Sequence, residues 1–328
     1  MLTSSARSAT LVAAGILLTR LTGLIRQRAF AHYFGLGPDA DAFSAAFRIP
    51  NFLQNLFGEG ALSASLIPVY ASLVSRGERQ KADRVAGAVL SLLALAVSVL
   101  VLAGVAGTPL LIGLIAPGFT GAKRELTIQL VRILFPGAGL LVLSAWCLGV
   151  LNSHRRFLLS YTAPIAWNGA MIATLVLFGG EALPTLAVWL AWGSVAGSAL
   201  QFAVQLPSVW LVAPDVRLSL GALSDDVRTV VRNFVPVFIS RGVVQVSAYV
   251  DTLLASLLPT GAVAALSNVQ LLYTLPVSLF GMSVSAAELP AMSGEAAGAE
   301  AYGALRVRLD AGLRRIALFV VPSAMAFL

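Results

Sequence analysis

Charge is scarce in this sequence. Of its 328 residues 11% are charged, against about 25% in an ordinary soluble domain. Hydrophobic residues make up 58%, and the mean hydropathy is +0.87. A chain this apolar cannot hide its surface in one aqueous core, so lipid must be part of its solvent. Cysteine is nearly absent, with Cys147 alone. That excludes an intrachain disulfide, and with only His32 and His154 beside it no zinc cluster can form. Cys147 lies in an apolar run and reads as a small buried hydrophobe, not a nucleophile. Strand-type alternation is missing, which argues against a membrane β-barrel. Acids are outnumbered, 15 against 22 basic residues, for a net charge of +7. In a soluble protein that balance would raise nucleic acid as a partner. Here the basic residues serve to hold loops on one side of a membrane, and no nucleic-acid partner is expected.

What the sequence has instead is long apolar runs. Segments of roughly 20 residues or more occur at 8–34, 42–74, 86–115, 126–151, 157–179, 183–212, 231–258, 262–289 and 312–328. The first resembles a signal peptide, but Arg20, Arg26 and Arg28 follow without a small-residue cleavage site, so it reads as a retained helix. Turn chemistry separates the runs at Gly35-Leu36-Gly37-Pro38-Asp39, Ala116-Pro117-Gly118, Gly179-Gly180 and Pro259-Thr260-Gly261. The expected fold is an all-α polytopic membrane protein of about nine transmembrane helices.

Basic residues set the orientation. With a cytoplasmic N-terminus, Arg76, Arg79, Lys81, Arg84, Arg155, Arg156, Arg217, Arg228, Arg232, Arg306, Arg308, Arg314 and Arg315 all face the cytoplasm. The opposite loops receive only Lys123 and Arg124. A weak internal echo runs through the chain. Thr19-Arg20 returns as Ser240-Arg241 after 221 residues, and Ile67-Pro68 returns as Leu289-Pro290 after 222. Each Pro landmark precedes a Gly-Glu dipeptide, Gly77-Glu78 and Gly294-Glu295. The pattern implies a parallel repeat of six helices. Residues 1–215 would form one six-helix lobe and 216–328 half of a second.

Charges in the first two segments carry the functional reading. Segment one holds Arg20, Arg26 and Arg28, with Gly23 between them to loosen the helix. In segment two, Asp41, Ser44, Arg48, Asn51, Asn55 and Glu59 follow at spacings of 3, 4, 3, 4 and 4. On a helix they form one polar stripe, with Phe43, Phe47, Phe52 and Phe57 on other faces and a kink expected at Pro50. Intramembrane charges face a watery cavity or a partner. A cavity holding Arg20, Arg26, Arg28 and Arg48 against Asp41 and Glu59 is cationic. It suits an anion with several oxygens, such as a phosphate or pyrophosphate. The structural alternatives are ion pairs with Asp39, Asp41 or Glu59, and snorkelling to the interface. Asp251 in segment seven either binds a coupling cation or neutralises an arginine of a neighbouring helix.

The run Thr19-Arg20-Leu21-Thr22-Gly23-Leu24-Ile25-Arg26 is followed by Phe34-Gly35, Asp39-Ala40-Asp41-Ala42-Phe43, Phe47-Arg48-Ile49-Pro50-Asn51 and Phe57-Gly58-Glu59-Gly60-Ala61. With Pro68, Ala116-Pro117-Gly118-Phe119, Leu151-Asn152 and Phe157, this pattern resembles the MurJ/MviN family of lipid II flippases. The resemblance implies a fold similar to multidrug exporters, the MATE-like architecture of the MOP superfamily, in the bacterial cytoplasmic (inner) membrane. It implies lipid II, the undecaprenyl-pyrophosphate-linked peptidoglycan precursor, as the partner carried across. Arg20, Arg26, Asp41 and Arg48 would contact or orient the pyrophosphate, and Asp251 would match an acidic residue of a sodium site. Coupling to sodium is the one cofactor role in view. Where many members carry an arginine pair, this chain reads Gln54-Asn55.

On this reading Arg20, Arg26, Asp41, Arg48, Asn51, Asn55 and Glu59 bind and release a substrate, and no bond is made or broken. Two alternatives stand beside it. One is an exporter of another polyprenyl-linked sugar or a drug. The other is a membrane enzyme acting on prenyl phosphates, for which Asp225-Asp226 is the acidic doublet that could hold magnesium.

Overall fold

The computed structural model describes residues 4–154, 156–219, 224–276 and 301–325, and among them there is no strand. The helices are α1 (Ser4–Phe34), α2 (Pro38–Phe57), α3 (Glu59–Ser75), α4 (Arg79–Ile115) and α5 (Gly121–Ser153). They continue as α6 (Phe157–Phe178), α7 (Leu183–Val212), α8 (Asp225–Ser256), α9 (Ala262–Pro276) and α10 (Ala301–Met325). Among the described residues six stretches are long and apolar enough to span a membrane: α2 with α3, α4, α5, α6, α7 and α8. The other expected spans, 8–34, 262–289 and 312–328, run into residues or side chains outside the described set. Arg155, Glu288, Leu289, Pro290, Gly294 and Glu295 also lie outside the described residues, as do the side chains of Glu59 and Phe157.

The clusters of turn residues fall at the breaks between helices, with Pro38 and Asp39 of the first already inside α2. Gly35 takes φ 58°, a left-handed conformation that ends α1, and Pro38 opens α2 where no N–H is needed. After α3, the Gly77 and Glu78 amides donate to the carbonyls of Val74 and Leu73, the paired closure of a glycine C-cap, with Gly77 at φ 80°. Ser224 caps α8, its hydroxyl accepting from the Val227 amide. Pro50 lies inside α2, which stays helical through it, and the second segment is divided at Gly58. Gly58 has extended backbone angles, and its carbonyl accepts from the Ala61 and Leu62 amides to restart the chain as α3.

The contacts divide the chain into two compact units, 1–264 and 265–328. The second consists, among its described residues, of the end of α9 and of α10. In the first, α5 is the central helix and packs against α2, α3, α4, α6 and α7. Small residues let the helices approach, as membrane packing requires. Gly137 lies against Val195 and Ser198, and Gly139 against Val97 and Val101. Polar bonds tie the same helices: Gln201 and Gln205 of α7 both donate to the Ser144 hydroxyl of α5. α1 packs on α6 in parallel. Gly15 and Thr19 meet Tyr161, Thr22 meets Asn168, and Arg26 meets Met171.

The linker after α7 lies along α4 in regular register. Asp83, Gly87 and Ser91, spaced four residues apart on one face of α4, receive the linker residues Asp215, Arg217 and Ser219. Asp83 and Ser91 accept the backbone amides of Asp215 and Ser219, at 3.2 and 2.9 Å. At Gly87 a side chain would collide with the Arg217 backbone. The start of α8 is held by an ion pair of Asp226 with Lys81, at 2.9 Å.

Candidate functional site

The polar stripe of α2 runs along α8, and the two helices are antiparallel. Arg48 donates to the hydroxyl of Thr252, and the Asn55 side-chain amide donates to Gln245 at 3.0 Å. Tyr249, between those levels, donates to the carbonyls of Arg48 and Ile49 and sets its ring edge-on to Phe52. Arg241 donates to the Asn55 carbonyl at 3.4 Å. The expected hydrated stripe is thus one side of a seam, and α8 supplies the other side. On α8, Arg241, Gln245, Tyr249 and Thr252 recur with helical spacing, the same signal that marks α2. Reading that period in segment seven would have found them.

The two ends of the seam differ. At the Pro38 end, Asp41 is 1% exposed and fully engaged. Its carboxylate pairs with Lys123 at 2.7 Å and accepts the Gly261 and Ala264 amides, each at 2.8 Å. Three donors, two of them fixed backbone, offset the cost of burying this charge. Lys123 also lies 4.0 Å from the centre of the Phe119 ring. Asp41 therefore clasps the turn between α8 and α9. The stripe is not hydrated at this end. At the Phe57 end, Asn55 and Arg241 are exposed and Asn51 and Gln245 half-buried.

Arg26 enters from α1 on an adjacent face of α2. Its guanidinium lies 4.8 Å from the centre of the Trp167 ring and 5.6 Å from that of Phe47, and those rings stack on each other. It also donates to the sulfur of Met171. Among the described residues no carboxylate pairs with it. Aromatic faces stabilise a cation without neutralising it. The structure brings Arg26, Arg48, Asn51 and Asn55 to neighbouring faces of α2. Arg20 and Arg28 are exposed on α1, and Asp251 is exposed on α8 beside Thr252. The acidic doublet is spread apart: Asp226 pairs with Lys81, and Asp225 with Arg228 in the first turn of α8.

The family described as lipid II flippase MurJ matches residues 30–328. Lipid II flippase MurJ of Burkholderia cenocepacia is 34% identical over 318 residues, which covers 94% of this chain and 61% of that protein. Probable lipid II flippase MurJ of Haemophilus influenzae is 32% identical over 323 residues, covering 94% of this chain and 63% of its own length. The chain thus spans about six-tenths of the length of these relatives. Among solved structures, lipid II flippase MurJ in an inward closed conformation superposes with a TM-score of 0.77 at 24% identity, over 96% of this chain and 64% of that one. An inward-facing MATE multidrug transporter of the MOP superfamily gives 0.71 at 18% identity, over 97% and 72%. These likenesses carry the fold: a multi-pass, all-α membrane protein of the architecture the two share.

Proposed function

The chain belongs to the lipid II flippase MurJ family, and on that premise we propose that it holds and moves the head group of lipid II across the bacterial cytoplasmic membrane. The supporting observation is the seam between α2 and α8. It carries Arg48, Asn51 and Asn55 on one side and Arg241, Gln245 and Thr252 on the other, with Arg26 beside it. Guanidinium groups match the oxygens of a diphosphate, and in low dielectric their pull on it is strong. The polyprenyl tail needs no binding energy from this seam, because it stays in the bilayer.

The seam also serves alternating access. Residues 1–215 act as the first lobe and α8 opens the second, so the contact of α2 with α8 is a contact between lobes. The N-terminus is cytoplasmic on the positive-inside rule. The Asp41 clasp then closes the outer side, and the Asn55 end opens toward the cytoplasm, where the precursor is made. Release outward requires the clasp to open. Asp251, next to Thr252 on the seam, is the position for a coupling sodium ion. The protein acts as a transporter and transforms no substrate.

The test is head-group translocation of fluorescent lipid II in proteoliposomes. Arg26→Gln and Arg48→Gln should each abolish most of it. Unimpaired transport in both would remove the role assigned to the seam. Equal transport of an undecaprenyl-diphosphate lipid with a different sugar would shift the substrate to the wider class of polyprenyl-linked sugars.

A further inference from the structure

Arg241 is not part of the α2 stripe and comes from the facing helix. Its guanidinium reaches across the seam into the break between α2 and α3. There it donates to the Asn55 carbonyl at 3.4 Å. Asn55 stands in the last turn of α2, where a helix leaves carbonyls unbonded and its dipole favours a cation. The far end of Arg241 occupies the space where a side chain on Gly60 would project. The position therefore needs glycine for the arginine to lie there. Gln245, one turn along α8, receives the Asn55 side-chain amide on its oxygen at 3.0 Å, which turns its own nitrogen outward as a donor. Ser240, Arg241 and Gln245, with Pro236 and Val237, line a cavity of about 530 Å³. That is within the range of small-ligand sites, about 300–1,000 Å³. Among the described residues no carboxylate pairs with Arg241, and it is the one charged side chain among the described residues that line the cavity.

We infer that Arg241, with the amides of Gln245 and Asn55, is a distinct diphosphate-binding site at the mouth of the seam. The inference rests on the proposed function and adds to it a first point of contact. Asn55 and Arg48 are seven residues apart on α2, so the mouth lies about 10 Å from Arg48 along the helix. A diphosphate entering from the mouth meets Arg241 first and Arg48 deeper in the seam.

The protein in phosphatidylcholine nanodiscs is titrated with undecaprenyl diphosphate. Arg241→Gln should weaken binding about tenfold, the worth of one charge-assisted contact, while Arg241→Lys restores part of it. Gly60→Ala should displace the guanidinium and weaken binding to a similar degree. The double variant should then be no weaker than Arg241→Gln alone, since both changes remove the same contact. Affinity unchanged in Arg241→Gln and Gly60→Ala, with Arg48→Gln weakened, overturns this inference and leaves the function standing. Affinity unchanged in all three overturns both. Inorganic pyrophosphate should compete with the lipid in the wild type and less in Arg241→Gln; equal competition in the two contradicts the site. If phosphatidylglycerol in the nanodisc blocks binding as tightly as undecaprenyl diphosphate adds to it, the site belongs to a bulk phospholipid head group and the inference fails.

Discussion

The seam between α2 and α8 has one end built to stay shut and one built to be wetted. At the Asp41 end a single carboxylate takes three donors and is 1% exposed. At the Asn55 end the partners are an amide pair and one long guanidinium contact, with Asn55 and Arg241 exposed. Both ends use polar side chains at the same helical spacing. What separates them is whether water can compete. A buried bond cannot be exchanged for one to solvent, so breaking it costs the full penalty of an orphaned group, whereas an exposed bond costs little. A closed end and an open end follow from that difference alone, along one continuous stripe.

The largest effect is expected at the closed end. Asp41→Ala leaves Lys123 and two backbone amides without their acceptor. Removing one partner of a buried pair costs about 3 kcal/mol or more, so exchange of the Gly261 and Ala264 amides should accelerate about a hundredfold in hydrogen-exchange mass spectrometry. In mid-seam, Thr252→Val removes one acceptor of the Arg48 guanidinium and should cost about 1.5 kcal/mol, seen as a lower melting temperature in detergent. At the open end, Gln245→Leu should cost under about 1 kcal/mol in the same assay, because the Asn55 amide turns to water.

The smallest effect belongs to a third place, away from the seam. His154 bonds the Tyr70 hydroxyl at 3.0 Å, and Tyr70 bonds Asp83 at 3.2 Å, where the linker is also held. Burial pushes the His154 imidazole below its ordinary value; Asp83 opposes the shift, and Arg79 and Arg156 add to it. The unfolded chain therefore binds the proton first as pH falls through about 6.5, and stability declines below that point until the folded imidazole titrates. Melting temperature should drop slightly from pH 7 to pH 5, and His154→Gln should flatten the slope.

Much of this is legible in the sequence, for physical reasons that can be named. The turn clusters between helices are readable because glycine and proline enforce them locally, as at Gly35, Pro38 and Gly261. The α2 stripe is readable because its spacing is its geometry. Asp41 misleads because spacing says which face a residue shares, not what fills that face; Lys123 and the Gly261 amide are remote in sequence. The break at Gly58 is not legible because a lone glycine can also sit inside a helix, and here its own backbone angles end α2. The cage around Arg26 depends on Trp167 of α6, and nothing in either segment announces that pairing.

The most direct test compares accessibility at two positions on the seam in a Cys147→Ala background. Thr252 is 0% exposed and Asn55 is exposed. With a membrane-impermeant maleimide, Asn55→Cys should label rapidly from the cytoplasmic side, and Thr252→Cys should resist labelling from both sides. Adding Asp41→Ala should make Thr252→Cys reactive from the outer side. Equal labelling of the two cysteines, or a Thr252→Cys that stays protected without Asp41, would contradict a seam closed by the clasp at one end and open at the other.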